Sequence, residues 1–164
     1  MLAICIVVAQ ERPPYPAPNA GIGTQAGRTL TTLKPGDSMP IEPADPAKVV
    51  TTPTGLKYVD LVEGTGLVPR KGQKLTVDYL GRLEDGTVFD TSTSRKKPFV
   101  YYHQLTQLIA GWTEGVSTMK VGGKRRLIVP ARLGYGSEGA GDKIPPNATL
   151  VFDIELLKVE DVQP

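Results

Sequence analysis

The chain has 164 residues, enough for one domain of moderate size, and a formal net charge of +2. That balance is too small to give an electrostatic footprint for nucleic acid, and the basic residues are scattered apart from Lys124-Arg125-Arg126. One cysteine, Cys5, and one histidine, His103, exclude an intramolecular disulfide and a Cys/His metal cluster.

The chain opens on an apolar run, residues 2–9, far short of the ~20 residues that span a bilayer. It resembles the end of a secretory apolar core, with Val7-Val8-Ala9 as a small-residue cleavage site before Gln10. A basic stretch ahead of it is missing. Residues 1–9 therefore read as the remnant of a signal or anchor whose start lies upstream, or else as an ordinary frayed terminus. The bulky Ile4 before Cys5 makes a poor lipoprotein site. The first reading favours an extracytoplasmic location, secreted or periplasmic, with the cytoplasm as the alternative. Membrane attachment would then need an anchor upstream of Met1.

Residues 10–53 are expected to form a disordered, Pro-rich tail. Nine of the 15 prolines fall in residues 1–53, and all the aromatic residues except Tyr15 lie after them. Such a segment buries too little apolar surface to offset its ordering entropy. Residues 54–164 are expected to form one compact domain.

Within that domain, residues 56–62 read as a strand. Residues 74–83 alternate, with Leu75, Val77 and Tyr79 on one face and Thr76 and Asp78 on the other. Asp85-Gly86 is a hairpin signal leading to a strand at 87–91. Regular alternation there sends Phe89 and Asp90 to opposite faces, so a buried Phe89 implies a solvated Asp90. Residues 98–103 are extended. Ile109, Trp112, Val116 and Met119 are spaced as one stripe of a short helix. Residues 124–130 return to strand, and a Gly/Pro-rich loop at 131–147 leads to a last strand. There Leu150, Phe152, Ile154 and Leu156 face one way, and Asp153 and Glu155 the other. The pattern predicts an α+β fold: an antiparallel sheet of about five strands with polar outer faces, wrapped around one short helix. No internal repeat is visible, and a monomer is expected.

The chemistry-bearing motifs are sparse. There is no phosphate-binding glycine loop, no H-E-x-x-H and no G-x-S-x-G. "GYGSEG" has no helix after it. Cys5 lies in a terminal segment without a core around it, which argues against a Cys–His nucleophile. What remains is an aromatic-rich domain with a few polar handles, Tyr79, Asp90 and Tyr135. That set suits an apolar ligand oriented by hydrogen bonds. The helix start offers a further donor, since the first N–H groups of a helix have no internal partner. If Trp112 is the floor of a site, the Ile109 N–H stands at its edge. Trp112 reads equally as a plain core tryptophan.

"VDYLGRLEDGTVFDTS", "KPF", "LIAGWTEGVSTMKVGGKRRLIVP", "GYG" and "IPPNATLVFDIELLKVE" together resemble the FKBP-type peptidyl-prolyl cis-trans isomerases over residues 55 to 160. The resemblance implies a twisted sheet around a short helix, with the ligand between them. It implies rotamase activity on Xaa-Pro bonds during protein folding, without cofactor or metal. Proline-containing polypeptides are the implied substrates, and macrolides the implied inhibitors. As catalytic residues it implies Tyr79, Phe89, Asp90, Ile109, Trp112, Tyr135 and Phe152. Arg95, Phe99, Leu108 and Ile144 would bind substrate. It also implies that Phe89 and Asp90 both line the site, against the alternation. Asp90 would then be a partly buried carboxylate, with Tyr79 and Arg95 as candidate partners. Two departures stand out. "QLTQLIAGW" lacks the glycine that many members carry in the turn before the helix, and Ala140 and Lys143 occupy loop positions that are often apolar or aromatic. The alternative function is a non-catalytic proline-peptide binding or chaperone module.

Overall fold

The structure, a computed structural model, describes residues 45–162. The sequence expectations for residues 1–44 lie outside the described residues.

One antiparallel sheet organises the chain, with strands β1 (Val50–Thr51), β2 (Lys57–Val62), β3 (Lys74–Leu83), β4 (Val88–Thr91), β5 (Phe99–Tyr102), β6 (Lys124–Val129) and β7 (Leu150–Glu160). The order is β1-β2-β6-β7-β3-β4, and β5 also pairs with β3. The two short strands share one edge of β3. β4 runs beside Leu80–Arg82 and β5 beside Lys74–Val77. β7 pairs along the whole of β3, from Lys74 opposite Glu160 to Leu83 opposite Leu150. Among the described residues one α-helix, α1 (Ala110–Val116), lies on the inner face. The expected α+β architecture is present, as a sheet of seven strands where about five were expected.

The sheet extends further toward the N-terminus than the expected boundary at residue 54. Val50 pairs with Tyr58 and Thr51 with Lys57. A 3-10 turn at Pro46–Lys48 precedes them, capped by Asp45, whose carboxylate accepts the Ala47 N–H at 2.9 Å. Two exposed residues show no alternation, so their pairing left no mark on the sequence pattern.

The inner face of β3 is the alternating set Leu75, Val77 and Tyr79, all fully buried. Leu127 and Val129 of β6, and Leu150, Phe152, Ile154 and Leu156 of β7, complete that wall. The helix stripe packs onto it: Trp112, Val116 and Met119 are buried, Met119 lying just past the helix end. α1 can lie this close because its sheet-facing side carries Gly111 and Gly115. A Cβ on Gly111 would sit 2.5 Å from Val129 Cγ1, and one on Gly115 would sit 2.5 Å from Leu127 Cδ2.

The outer face departs from expectation at Asp153. This carboxylate is 3% exposed. The Arg126 guanidinium donates to both its oxygens, from Nε at 2.5 Å and from Nη2 at 2.9 Å, and Arg82 Nη2 stands 4.0 Å away. Burial is tolerated there because the charge is paired and its lone pairs are used.

His103 likewise ends inside the protein, 1% exposed. Its Nε2 lies 3.1 Å from Ser117 Oγ, which donates to the Thr113 carbonyl at 2.6 Å. With its own hydrogen committed, Ser117 Oγ accepts from the imidazole. His103 Nδ1 then remains a buried atom without a partner among the described residues. Burial pushes the His103 pKa down, so the native state holds the ring neutral. A native pKa below the unfolded value of about 6.5 gives a stabilisation that is complete above that pH and is lost as pH falls toward the native pKa. We expect wild type to lose more thermal stability than His103→Gln between about pH 7.5 and 5.5. Equal losses in the two proteins would show that His103 does not titrate from a buried neutral state.

Candidate active site

The site is built where β3, β4, the segment before α1 and the loop after β6 converge on the inner face. Its geometry starts at a bulge. Gly81 pairs with Asp90 and Arg82 pairs with Val88, which leaves Phe89 as an extra residue without a partner on β3. Asp90 thus stands opposite Gly81 on the inner face. Phe89 leans to the same side, and alternation fails at this point.

Gly81 makes room for it. A Cβ at Gly81 would lie 2.8 Å from Phe89 Cε2 and 3.0 Å from Phe152 Cε1. The Phe89 and Phe152 rings therefore meet edge to face above a bare stretch of backbone, with centroids 5.5 Å apart. The glycine was visible in the sequence, and a lone glycine inside a strand pattern signals a bulge or a close approach. The sequence reading did not use it.

Trp112 is the centre of the aromatic set and fully buried. Its ring meets Tyr79 at 5.2 Å, Phe152 at 5.3 Å and Phe99 at 6.2 Å, each edge to face. Ile109 and Ile144 are buried in the same cluster, and Leu108, Tyr135 and Phe99 pack against it half-buried. The structure thus gathers all the aromatic and aliphatic residues that the resemblance implied.

The polar end is a three-residue network. Tyr79 Oη donates to Asp90 Oδ2 at 2.6 Å. Arg95 Nη2 donates to Asp90 Oδ1 at 2.7 Å and also to Tyr79 Oη. Burial and the neighbouring Asp90 carboxylate push the Tyr79 pKa well above the usual tyrosine range, so the phenol stays protonated and remains a donor. Arg95 is delivered by a 3-10 turn at Thr93–Arg95 directly after β4. Ser92 and Thr91 fix the distance between the partners: Tyr79 N–H donates to Ser92 Oγ at 3.0 Å, and Thr91 Oγ1 donates to the Tyr79 carbonyl at 3.0 Å. Asp90 is 25% exposed on its side chain, partly buried as the resemblance implied.

Two loop segments border the aromatic set. Ile109 is the N-cap of α1, and its N–H donates to no described residue. The glycine-free turn before it closes without glycine because Gln104 takes φ 57° and Tyr102 O accepts the Leu105 and Thr106 N–H groups. On the opposite side, Ala140 and Ile144 bridge in a small hairpin, and Lys143 Nζ donates to the Phe89 carbonyl at 3.3 Å. Among the described residues, no group of three His, Cys, Asp or Glu could hold a metal ion. Sequence reading missed Tyr101, whose hydroxyl accepts the Trp112 indole N–H at 3.2 Å. Alternation with Phe99 and His103 along residues 98–103 was its available signal.

Comparison with known proteins follows the same outline. The family model for the FKBP-type peptidyl-prolyl cis-trans isomerase matches residues 66–157. The FK506-binding protein of Neisseria meningitidis serogroup B is 51% identical over 105 residues, which are 64% of this chain and 96% of that protein. FK506-binding protein 4 of Dictyostelium discoideum is 51% identical over 111 residues, 68% of this chain but 30% of its own length. The crystal structure of FkpA from Escherichia coli superposes with a TM-score of 0.66 at 42% identity, over 71% of this chain and 53% of that one. This chain belongs to the FKBP-type peptidyl-prolyl cis-trans isomerase family. The family is one of rotamases, and a non-catalytic binding module is the less favoured reading.

Gly81→Ala tests the bulge. A methyl group under the Phe89 ring overpacks the site, and we expect a loss of about 1–3 kcal/mol in unfolding free energy. The Phe89 and Phe152 ring resonances should shift with it. Wild-type stability and unshifted rings would mean that Phe89 does not lie over residue 81.

Proposed function

We propose that this aromatic site binds the proline of an Xaa-Pro segment and speeds rotation of its peptide bond without covalent chemistry. Resonance stiffens the C–N bond and sets a barrier of ~18–20 kcal/mol. Twisting the amide breaks that resonance and lessens its charge separation. An apolar enclosure therefore disfavours the planar amide relative to the twisted one. Phe89, Trp112, Tyr135 and Phe152 supply the apolar walls. The Ile109 N–H and the Tyr135 hydroxyl orient the peptide carbonyls, and Phe99, Leu108 and Ile144 hold the flanking residues. Asp90 is a fixed anion neutralised by Arg95 and tied to Tyr79, shaping the carbonyl end of the site; Arg95 reaches substrate from that pair.

The observation that carries this reading is the joining of Phe89 and Asp90 on one face, which sets an apolar wall beside a fully partnered carboxylate. The names of the relatives as FK506-binding proteins support macrolide binding at the same place. The active unit we assign is the domain of residues 54–164, acting as a monomer on proline-containing polypeptides, with β1 as an N-terminal addition to its sheet. An extracytoplasmic location completes the proposal and rests on the apolar residues 1–9 alone.

Substitution separates the walls from the rim. Phe89→Ala, Trp112→Ala and Phe152→Ala should weaken macrolide binding and isomerisation more than changes at Lys143 or Ala140. Each empties a packed aromatic site at a cost of about 3–5 kcal/mol in stability, so unfolding is measured beside activity. Asp90→Leu should lower the isomerisation rate about tenfold, or ~1.4 kcal/mol, without abolishing it. The wild-type rate should be nearly flat between about pH 6 and 9, because Tyr79 stays protonated and no imidazole takes part. Normal macrolide binding by all three folded alanine variants would place the site elsewhere. A bell-shaped profile, or complete loss of activity in folded Asp90→Leu, would mean acid–base catalysis in this site.

A further inference from the structure

The proposed floor of the site, Trp112, is held by one directional hydrogen bond in addition to its ring contacts. Trp112 is surrounded by Tyr79, Phe99, Phe152 and Tyr101, all meeting it edge to face. Such packing fixes where the indole sits and how its plane is turned. A half-turn about the second side-chain torsion exchanges the pyrrole and benzene edges, and this torsion is broad and roughly two-fold.

The indole N–H breaks that symmetry. Trp112 is fully buried, and a buried N–H left without an acceptor is costly. The acceptor is the Tyr101 hydroxyl at 3.2 Å, which is itself buried. A flipped ring would carry the N–H away from the Tyr101 hydroxyl. The Tyr79 hydroxyl already donates to Asp90 and accepts from Arg95. Tyr101 in turn is held by its strand. Its ring stacks on Phe99 with centroids 5.2 Å apart and planes 19° apart, which sets the place of the hydroxyl. Phe99 also touches Tyr79, so the placement is tied to the polar end of the site.

We infer that Tyr101 is a positioning residue for isomerisation: by accepting the indole N–H it selects the Trp112 rotamer, and with it the ring edge presented to the substrate proline. Tyr101 acts through Trp112 and does not touch the reacting bond. The inference rests on Trp112 being the floor of the site, as proposed above.

Trp112 is the only tryptophan of the chain, so its indole N–H gives a single isolated signal. The experiment uses the full chain, an Xaa-Pro peptide substrate, and Tyr101→Phe, Trp112→Phe and the double variant, each checked for cooperative unfolding. In wild type, the indole N–H band in ultraviolet resonance Raman should lie at the hydrogen-bonded position. In Tyr101→Phe that band and the indole proton resonance should move to the positions of a free N–H, and kcat/KM should fall about 2- to 10-fold, the range one hydrogen bond commands. On the Trp112→Phe background, Tyr101→Phe should have little further effect, because the donor is gone. A free indole N–H in wild type overturns the inference, and it can be read even if Tyr101→Phe fails to fold. Additive losses in the double variant, or unchanged kcat/KM in Tyr101→Phe, overturn it as well. If Trp112→Phe is itself fully active, the floor assignment falls, which is a distinct result from a failure of Tyr101 alone.

Discussion

One extra residue in β4 sets the site. A regular pairing of β4 with β3 would send Phe89 and Asp90 to opposite faces. The unpaired Phe89 instead brings both to the inner face, above Gly81, where no side chain competes for the space. Phe89 then closes onto Phe152, and Asp90 falls within reach of Tyr79 two residues before Gly81 on β3. Adding a Cβ at residue 81 or removing the bulge would separate the apolar wall from its charged neighbour. The short strand and the turn after it also deliver Arg95, so wall, carboxylate and counter-charge come from seven consecutive residues, 89–95.

The electrostatics of this arrangement are static. Asp90 has a guanidinium and a phenol as donors, and the phenol is held protonated by burial and by the carboxylate it serves. The rest of the aromatic set carries only neutral polar groups, such as the Tyr101 hydroxyl that accepts the Trp112 indole N–H. Such a site is poorly suited to moving a proton and well suited to penalising the charge separation of a planar amide. His103, the one histidine, is buried against Ser117 beyond Tyr101 and is kept neutral by that burial.

Much of this was legible in the chain. The alternation of Leu75, Val77 and Tyr79 gave the inner face of β3, Asp85-Gly86 gave the hairpin, and the Ile109–Trp112–Val116–Met119 spacing gave the helix. These features are local, and local periodicity reports them. The joining of Phe89 with Asp90 came from family resemblance, since periodicity predicted the opposite. Gly81 was present as a signal, but its meaning depends on a ring eight residues away. Asp153 looked like a solvated outer-face residue, and its burial depends on Arg126 and Arg82 from two other strands. β1 was missed because two exposed residues carry no pattern. The partner of the Trp112 indole could be read only once β5 and α1 were placed against each other.

The rate proposed for this site comes from an apolar enclosure acting on an amide that twists without gaining or losing a proton. The solvent isotope effect on kcat/KM for an Xaa-Pro peptide tests it most directly, measured in H2O and D2O at matched positions on the pH profile. A ratio close to one is expected. A large normal isotope effect would show a proton in flight at the transition state and would contradict it.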